Sequence, residues 1–85
     1  MPELSRFLGF VIAILYRDHE PPHFHATYGE YEIMVRIRDG VVTGTFPHRA
    51  LGHVTEWYAA HRSELEENWQ RARNRQPLKP IEPLE

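Results

Sequence analysis

Two short turns place the strongest constraint on how this chain can fold. The first is Gly29-Glu30, which lies between Tyr28 and Tyr31 and has glycine in the first place of a two-residue turn. Such turns are typical of β-hairpins, and they fix which residues of the two strands face each other. The predicted register places the apolar side chains of both strands on one face, with Tyr28 opposite Tyr31, Ala26 opposite Ile33 and Phe24 opposite Val35.

The second turn is Asp39-Gly40, a pair that favours type I′ hairpin geometry. A two-residue turn at this point would set Ile37 opposite Val42 and Ile33 opposite Phe46. We therefore predict a further strand over residues 41–46.

The segment before the first hairpin is an apolar run at positions 10–16, rich in β-branched and aromatic side chains. This composition favours a central strand over a helix, and the run is too short to span a bilayer. Residues 17–22 interrupt the run and contain Pro21 and Pro22, which cannot donate hydrogen bonds to a strand ladder. We predict a loop there.

The segment after the hairpins is predicted to be helical. Pro47 can open a helix, in which apolar side chains recur at helical spacing at Leu51, Val54, Tyr58 and His61. Ser63 and Glu66 match a capping box, which predicts that a second helix starts there and continues through Leu65, Trp69 and Ala72. The pattern leaves open whether a bend separates the two helices or they run on continuously.

The C-terminal residues 77–84 contain Pro77, Pro80 and Pro83 and are predicted to be extended. We expect this arm to pack across the domain through Leu78, Ile81 and Leu84. A chain of 85 residues has room for one hydrophobic core, so residues 1–85 are predicted to form a single domain. The predicted fold is α+β, with an antiparallel sheet of about four strands, two C-terminal helices on one face and the extended arm.

The composition excludes several classes of protein. With 41% hydrophobic and 26% charged residues, the chain is neither a disordered tail nor a membrane protein. The absence of cysteine excludes a disulfide framework and a thiolate zinc site, which fits a reducing compartment. A net charge of −2 gives no support for nucleic-acid binding through overall charge. We expect a cytoplasmic protein with no membrane segment.

The sheet face that the helices leave open is predicted to be polar. Strand alternation places on it His23, His25, Thr27, Glu32, Met34, Arg36, Arg38, Thr43 and Thr45. His23 would lie across from Arg36 and His25 across from Met34, with the two imidazoles about 7 Å apart by strand rise. Because a neighbouring arginine disfavours the charged form of His23, that ring is expected to act as a neutral base or ligand.

Asp18 and His19 come from the proline loop and are predicted to reach the same edge of the sheet. The resulting His-x-x-x-His-x-His pattern with an adjacent carboxylate is a plausible metal site formed by His19, His23 and His25. The competing interpretation is a solvated polar surface, on which Pro21 and Pro22 only form a turn.

These residues also resemble a known family. The string Asp18-His19-x-Pro21-Pro22-His23-Phe24-His25, followed later by Arg49-Ala50-Leu51 and Asn68-Trp69, is similar to the small bacterial domain of unknown function 4160. Members of that family are described as encoded beside another small domain that can carry a helix-turn-helix. The resemblance therefore implies one half of a toxin-antitoxin pair, and this chain would be the toxin-like half because no basic recognition helix is evident.

Three functions follow from these observations, and the sequence leaves open whether the chain is an enzyme. The first is a toxin-like enzyme acting on RNA without a cofactor, with acid-base chemistry from Asp18, His19, His23, His25 and Arg36 and phosphate binding by Arg17, Arg36 and Arg38. The second is a non-enzymatic module whose open sheet face or free strand edge binds a small protein encoded nearby. The third is a hydrolase that holds a divalent metal at His19, His23 and His25. Homo-oligomers are compatible with all three.

Overall fold

The computed structural model describes residues 3–84 and contains one antiparallel sheet and one long helix. The elements in chain order are β1 (Glu3–Phe7), β2 (Phe10–Ala13), β3 (His23–Tyr28), β4 (Tyr31–Arg36), β5 (Val42–Gly44) and α1 (His48–Arg73). The strands lie side by side in the order in which they occur along the chain. The predicted α+β class is therefore confirmed. The predicted numbers of elements differ in detail, because the structure has five strands and one helix where about four strands and two helices were predicted.

The additional strand is β1, which pairs with β2 through the turn Leu8-Gly9. Both turn residues have positive φ angles, +49° at Leu8 and +85° at Gly9. Leucine is an unusual residue for this conformation, so the turn carries no sequence signal of the kind that Asn-Gly gives. The strand predicted over residues 10–16 is correspondingly shorter and ends at Ala13.

The register predicted for the first hairpin is confirmed. Tyr28 pairs with Tyr31, and the pairing continues along β3 and β4 to His23 opposite Arg36. The predicted core residues of these strands, Phe24, Ala26, Ile33 and Val35, are all buried.

The register predicted for the second hairpin is wrong by two residues, because Val42 lies opposite Val35 and not opposite Ile37. Arg36 N–H donates to Val41 O at 2.9 Å, and Gly40 N–H donates to Arg36 O at 2.7 Å, so the turn holds four residues. The Arg36 side chain donates two hydrogen bonds to Asp39, at 2.8 and 2.6 Å. These bonds favour the wider turn, which ends β4 at Arg36.

The two predicted helices form one helix with a kink. His61 has φ −125° and ψ 22° inside α1. This kink lies close to the point where the sequence left open whether a bend separates the two predicted helices. The capping box predicted at Ser63 does not form, and instead His61 Nδ1 lies 2.6 Å from Glu64 Oε1. Pro47 occupies the N-cap position of α1.

The core lies between one face of the sheet and the buried side of α1, where the largest residues are Trp57 and Trp69. The C-terminal arm packs on this core, as predicted, with Ile81 only 4% exposed. Ile81 N–H donates to Leu4 O at 2.8 Å, which attaches the arm to β1. Trp57 Nε1–H donates to Glu82 O at 2.9 Å and attaches the arm to the helix. Within residues 3–84, no helix is long and apolar enough to cross a membrane.

Candidate metal centre

The candidate site is built from the loop after β2 and from the first half of β3. The loop supplies Asp18, and α1 holds this loop in place. Arg73 Nη1–H donates to the main-chain oxygen of Asp18, and Trp69 Nε1–H donates to Glu20 Oε2 at 3.3 Å. The position of the Asp18 carboxylate therefore depends on the C-terminal part of the helix.

Asp18, His23 and His25 converge on one point. Asp18 Oδ2 lies 2.8 Å from His25 Nε2 and 3.2 Å from His23 Nε2. One ligand atom from each of the three residues lies within 4.8 Å of the other two. The side chains are only 18%, 16% and 10% exposed for Asp18, His23 and His25, respectively. The group is a partly buried set of one carboxylate and two imidazoles.

The second ring nitrogen of each histidine faces a hydrogen-bond acceptor. His23 Nδ1 lies 2.9 Å from the carbonyl oxygen of Pro21, and His25 Nδ1 lies 3.2 Å from Glu32 Oε2. The Pro21 carbonyl can only accept, so His23 donates from Nδ1. His25 has a carboxylate oxygen beside each ring nitrogen, Glu32 at Nδ1 and Asp18 at Nε2.

The arrangement brings two imidazole nitrogens and one carboxylate oxygen to one point, with His25 Nε2 and Asp18 Oδ2 at hydrogen-bond distance from each other. The centroids of the two rings are 5.1 Å apart. In metal sites, ligating histidines usually donate their other N–H to a carboxylate or a main-chain carbonyl, and here Glu32 lies beside Nδ1 of His25 and the Pro21 carbonyl beside Nδ1 of His23.

The other residues predicted for the site lie outside this group. His19 is exposed and supplies none of the three converging atoms. The Arg36 guanidinium donates to Asp39, and this pairing lowers the pKa of the Asp39 carboxyl to about 2. Arg38 is exposed, and Arg17 lines a separate depression beside Tyr16 and Arg75.

Sequence reasoning missed the supporting role of three residues. Strand alternation predicts that Glu32 lies on the open face, but not that it contacts His25. Trp69 packs against the His23 ring with centroids 5.5 Å apart, and Arg73 holds the loop. The confirmed β3–β4 register contains a signal for Glu32, since Thr27 opposite Glu32 makes Glu32 a diagonal neighbour of His25 on the sheet.

A shallow depression opens beside His23 on the outer face of the sheet. It is lined by Pro21, His23, Met34, Arg36, Val41 and Thr43. Met34 and Val41 are 38% and 49% exposed, so this surface has an apolar character that the alternation of polar residues did not predict.

No curated protein and no solved structure matches the chain. A family model described as domain of unknown function (DUF4160) matches residues 9–70. The matched segment contains Asp18, His23 and His25, and it covers well over half of the chain. The chain therefore belongs to the DUF4160 family of domains of unknown function.

Proposed function

We propose that this protein binds one divalent transition-metal ion through Asp18, His23 and His25 and uses it for hydrolysis. The observation that carries the proposal is the convergence of three ligand atoms within 4.8 Å. An acceptor lies beside Nδ1 of each histidine, so coordination through both Nε2 atoms would leave each Nδ1–H with a hydrogen-bond partner.

The donor set favours zinc and its neighbours over magnesium or calcium. Imidazole nitrogen is a preferred ligand of Zn²⁺, Co²⁺ and Ni²⁺, whereas Mg²⁺ and Ca²⁺ prefer sets made of oxygen. Three protein ligands leave at least one coordination position for water. A zinc ion held by these residues would lower the pKa of a bound water and would supply a nucleophile at neutral pH.

The alternative function, cleavage of RNA without a metal ion, is less well supported. Acid-base cleavage of RNA by His23 and His25 requires the substrate to reach both rings. Here the Asp18 carboxylate lies between the two Nε2 atoms, and both rings are mostly buried. Arg36, the residue expected to hold phosphate, already donates two hydrogen bonds to Asp39.

The biological role we propose is that of the toxin-like half of a bacterial toxin-antitoxin pair, acting in the cytoplasm and bound by a small protein encoded nearby. Support for this role comes from the family resemblance. Expression of the parent in bacteria is expected to arrest growth, and expression of His25→Gln is not. Growth arrest by both proteins would contradict the assignment of toxicity to the metal centre.

Metal stoichiometry tests the central claim. Protein purified without a histidine tag is dialysed against Zn²⁺ or Co²⁺, and bound metal is measured by mass spectrometry and titration calorimetry. We expect one ion per chain in the parent. Asp18→Asn, His23→Gln and His25→Gln should each lose at least about a hundredfold in affinity, and Glu32→Gln about tenfold.

His19→Gln is the matched control, because His19 lies in the same loop and supplies none of the converging atoms. It is expected to bind metal as the parent does. Far-UV circular dichroism of every variant without metal checks that the fold is retained. If His19→Gln weakens binding as much as His25→Gln, or if the three ligand variants keep the parent's affinity, the assigned ligand set is wrong.

Hydrolysis is tested separately with the activated phosphodiester bis(4-nitrophenyl) phosphate. The zinc-loaded parent should release nitrophenolate, chelation should stop the release, and added Zn²⁺ should restore it. Full metal binding with no hydrolysis of this diester or of RNA would restrict the proposal to metal binding.

A further inference from the structure

Another depression is formed by different residues from those of the metal centre. Its lining includes Leu8 from the β1–β2 turn, Phe10 and Tyr28 from the sheet, and Pro47, Arg49 and His53 from the start of α1 and the residue before it. We call these six residues the Leu8 surface. The Tyr28 ring stacks on the buried Phe10 ring with centroids 4.8 Å apart and forms an aromatic floor.

Leu8 is an unfavourable residue for its position in two respects. Its φ of +49° is in the left-handed region, where a residue with a β-carbon is strained and where hairpin turns prefer asparagine or glycine. Its side chain is also 58% exposed, the highest value among the exposed large hydrophobic residues of the described chain. Neither property contributes to the stability of an isolated domain.

Arg49 is a third unfavourable choice at the same place. It lies in the first turn of α1, which contains no acidic residue. A positive side chain there is opposed by the helix dipole, which favours acidic residues at a helix start. Arg49 forms no ion pair within residues 3–84.

Local rules of this kind are usually broken where a surface has a function. The chain as a whole has 12 acidic and 10 basic residues, yet the depression is lined by Arg49 and His53 and by no acidic side chain of residues 3–84. An exposed apolar residue beside an aromatic floor, bordered by positive charge, is complementary to an apolar side chain that has carboxylates next to it.

We propose that the Leu8 surface is a docking site for an acidic segment of a partner protein. An apolar side chain of that segment would pack on the Tyr28 ring against Leu8. Carboxylates on either side of it would form an ion pair with Arg49 and a hydrogen bond with His53. None of these residues belongs to the metal centre, so this proposal and the proposed hydrolytic function can fail independently.

The test uses a phage-displayed library of random dodecapeptides selected on the immobilised parent protein. Peptides that combine Asp or Glu with a large apolar residue should be enriched. Synthetic copies of them are then measured by fluorescence anisotropy. Leu8→Asn and Arg49→Glu should each weaken binding by about tenfold or more, as loss of a central contact does.

Two variants serve as matched controls, Val41→Asn for an exposed apolar residue and Arg38→Glu for the charge reversal. Both lie outside the Leu8 surface and should bind the peptides as the parent does. Leu8→Asn should also melt a few degrees higher than the parent, because asparagine suits the turn. If Leu8 is retained only because it stabilises the fold, Leu8→Asn should melt at a lower temperature than the parent.

Several results would overturn the proposal. These are no enrichment of peptides, enrichment of basic peptides, unchanged binding by Leu8→Asn, or a lower melting temperature for Leu8→Asn. The other occupant to be tested is a second copy of this chain, and sedimentation velocity measures whether the parent forms a dimer. A parent dimer that Leu8→Asn converts to a monomer would show that self-association covers this surface, and would also overturn the proposal.

Discussion

Asn68 and Lys79 are joined by two hydrogen bonds of opposite direction. Asn68 Nδ2–H donates to Lys79 O at 3.0 Å, and Lys79 N–H donates to Asn68 Oδ1 at 2.7 Å. Asn68 is 2% exposed and also donates to Glu64 O. Its amide therefore pairs with the main chain of the arm as a neighbouring strand would, and it explains how an extended, proline-rich segment is held on the helix.

Asn68→Ala should lower the free energy of unfolding by about 2 kcal/mol, because it removes the hydrogen bond to Glu64 and both partly buried hydrogen bonds to the Lys79 main chain. Urea unfolding followed by circular dichroism measures the change. Gln70→Ala, an exposed residue in the same turn of the helix, is the control and should stay close to the parent. Equal stability of the two variants would show that the arm is not held by Asn68.

Ser5 offers a stabilising substitution. Its hydroxyl is buried in β1 and has no hydrogen-bond partner among the described residues. Ser5→Ala removes an unsatisfied polar group and should raise the free energy of unfolding by about 1 kcal/mol. A decrease measured by urea unfolding would show that the hydroxyl has a partner in solution.

A capping box at Ser63 would predict that Ser63→Ala destabilises the protein, and the structure predicts otherwise. Because Ser63 lies two residues after the kink at His61 and its hydroxyl caps no main-chain N–H of the described residues, alanine should leave the stability unchanged or raise it by about 0.5 kcal/mol through its higher helix propensity. The melting midpoint is the measurement. A loss of about 1 kcal/mol would indicate a true helix start at Ser63.

Gly44 and Gly52 should respond oppositely to alanine. Gly44 has φ +109°, and a β-carbon there would lie 2.8 Å from Glu32 O, so Gly44→Ala should cost about 2–3 kcal/mol. Gly52 lies in α1, where a β-carbon would meet open space, and Gly52→Ala should add up to about 1 kcal/mol. Thermal unfolding of both variants tests the pair, and a tolerant Gly44 would contradict the described β4–β5 contact.

The Arg36–Asp39 pair predicts a pH dependence. The hydrogen bonds from Arg36 lower the pKa of Asp39 from 3.8 to about 2 in the folded chain. A carboxyl with a lowered pKa contributes stability that is fully present above about pH 4 and is lost as the pH falls towards 2. The stability difference between the parent and Asp39→Asn should therefore shrink over this range in urea unfolding. A constant difference would argue against the ion pair.

Sequence reasoning succeeded where neighbouring residues decide the structure. The Gly29-Glu30 turn and strict alternation of side chains were enough to predict the β3–β4 register, and with it that His23 and His25 share a face. The arm was predictable because Pro77, Pro80 and Pro83 exclude other conformations and its apolar residues need burial.

Sequence reasoning failed where a specific side-chain interaction overrides a local preference. The Arg36–Asp39 hydrogen bonds widen the second turn and shift the register by two residues, which keeps Val42 on the core face and Thr43 on the open face. Of the two loop residues expected beside the histidines, Asp18 joins them and His19 does not, and the loop is held by Arg73 and Trp69 from the far end of the helix. No spacing rule within the loop contains that information.

The order of the sheet has a consequence for how the chain folds. Every strand pairs with its neighbour along the chain, so each of the four pairings closes only a short loop. The hydrogen bond between Ile81 and Leu4 differs from these pairings, because it joins opposite ends of the described chain and closes a loop around the whole domain. We therefore expect the hairpins to form before the arm attaches. Contacts made after the transition state control the rate of unfolding more than the rate of folding, so substitutions that release the arm should speed unfolding and leave the folding rate nearly unchanged.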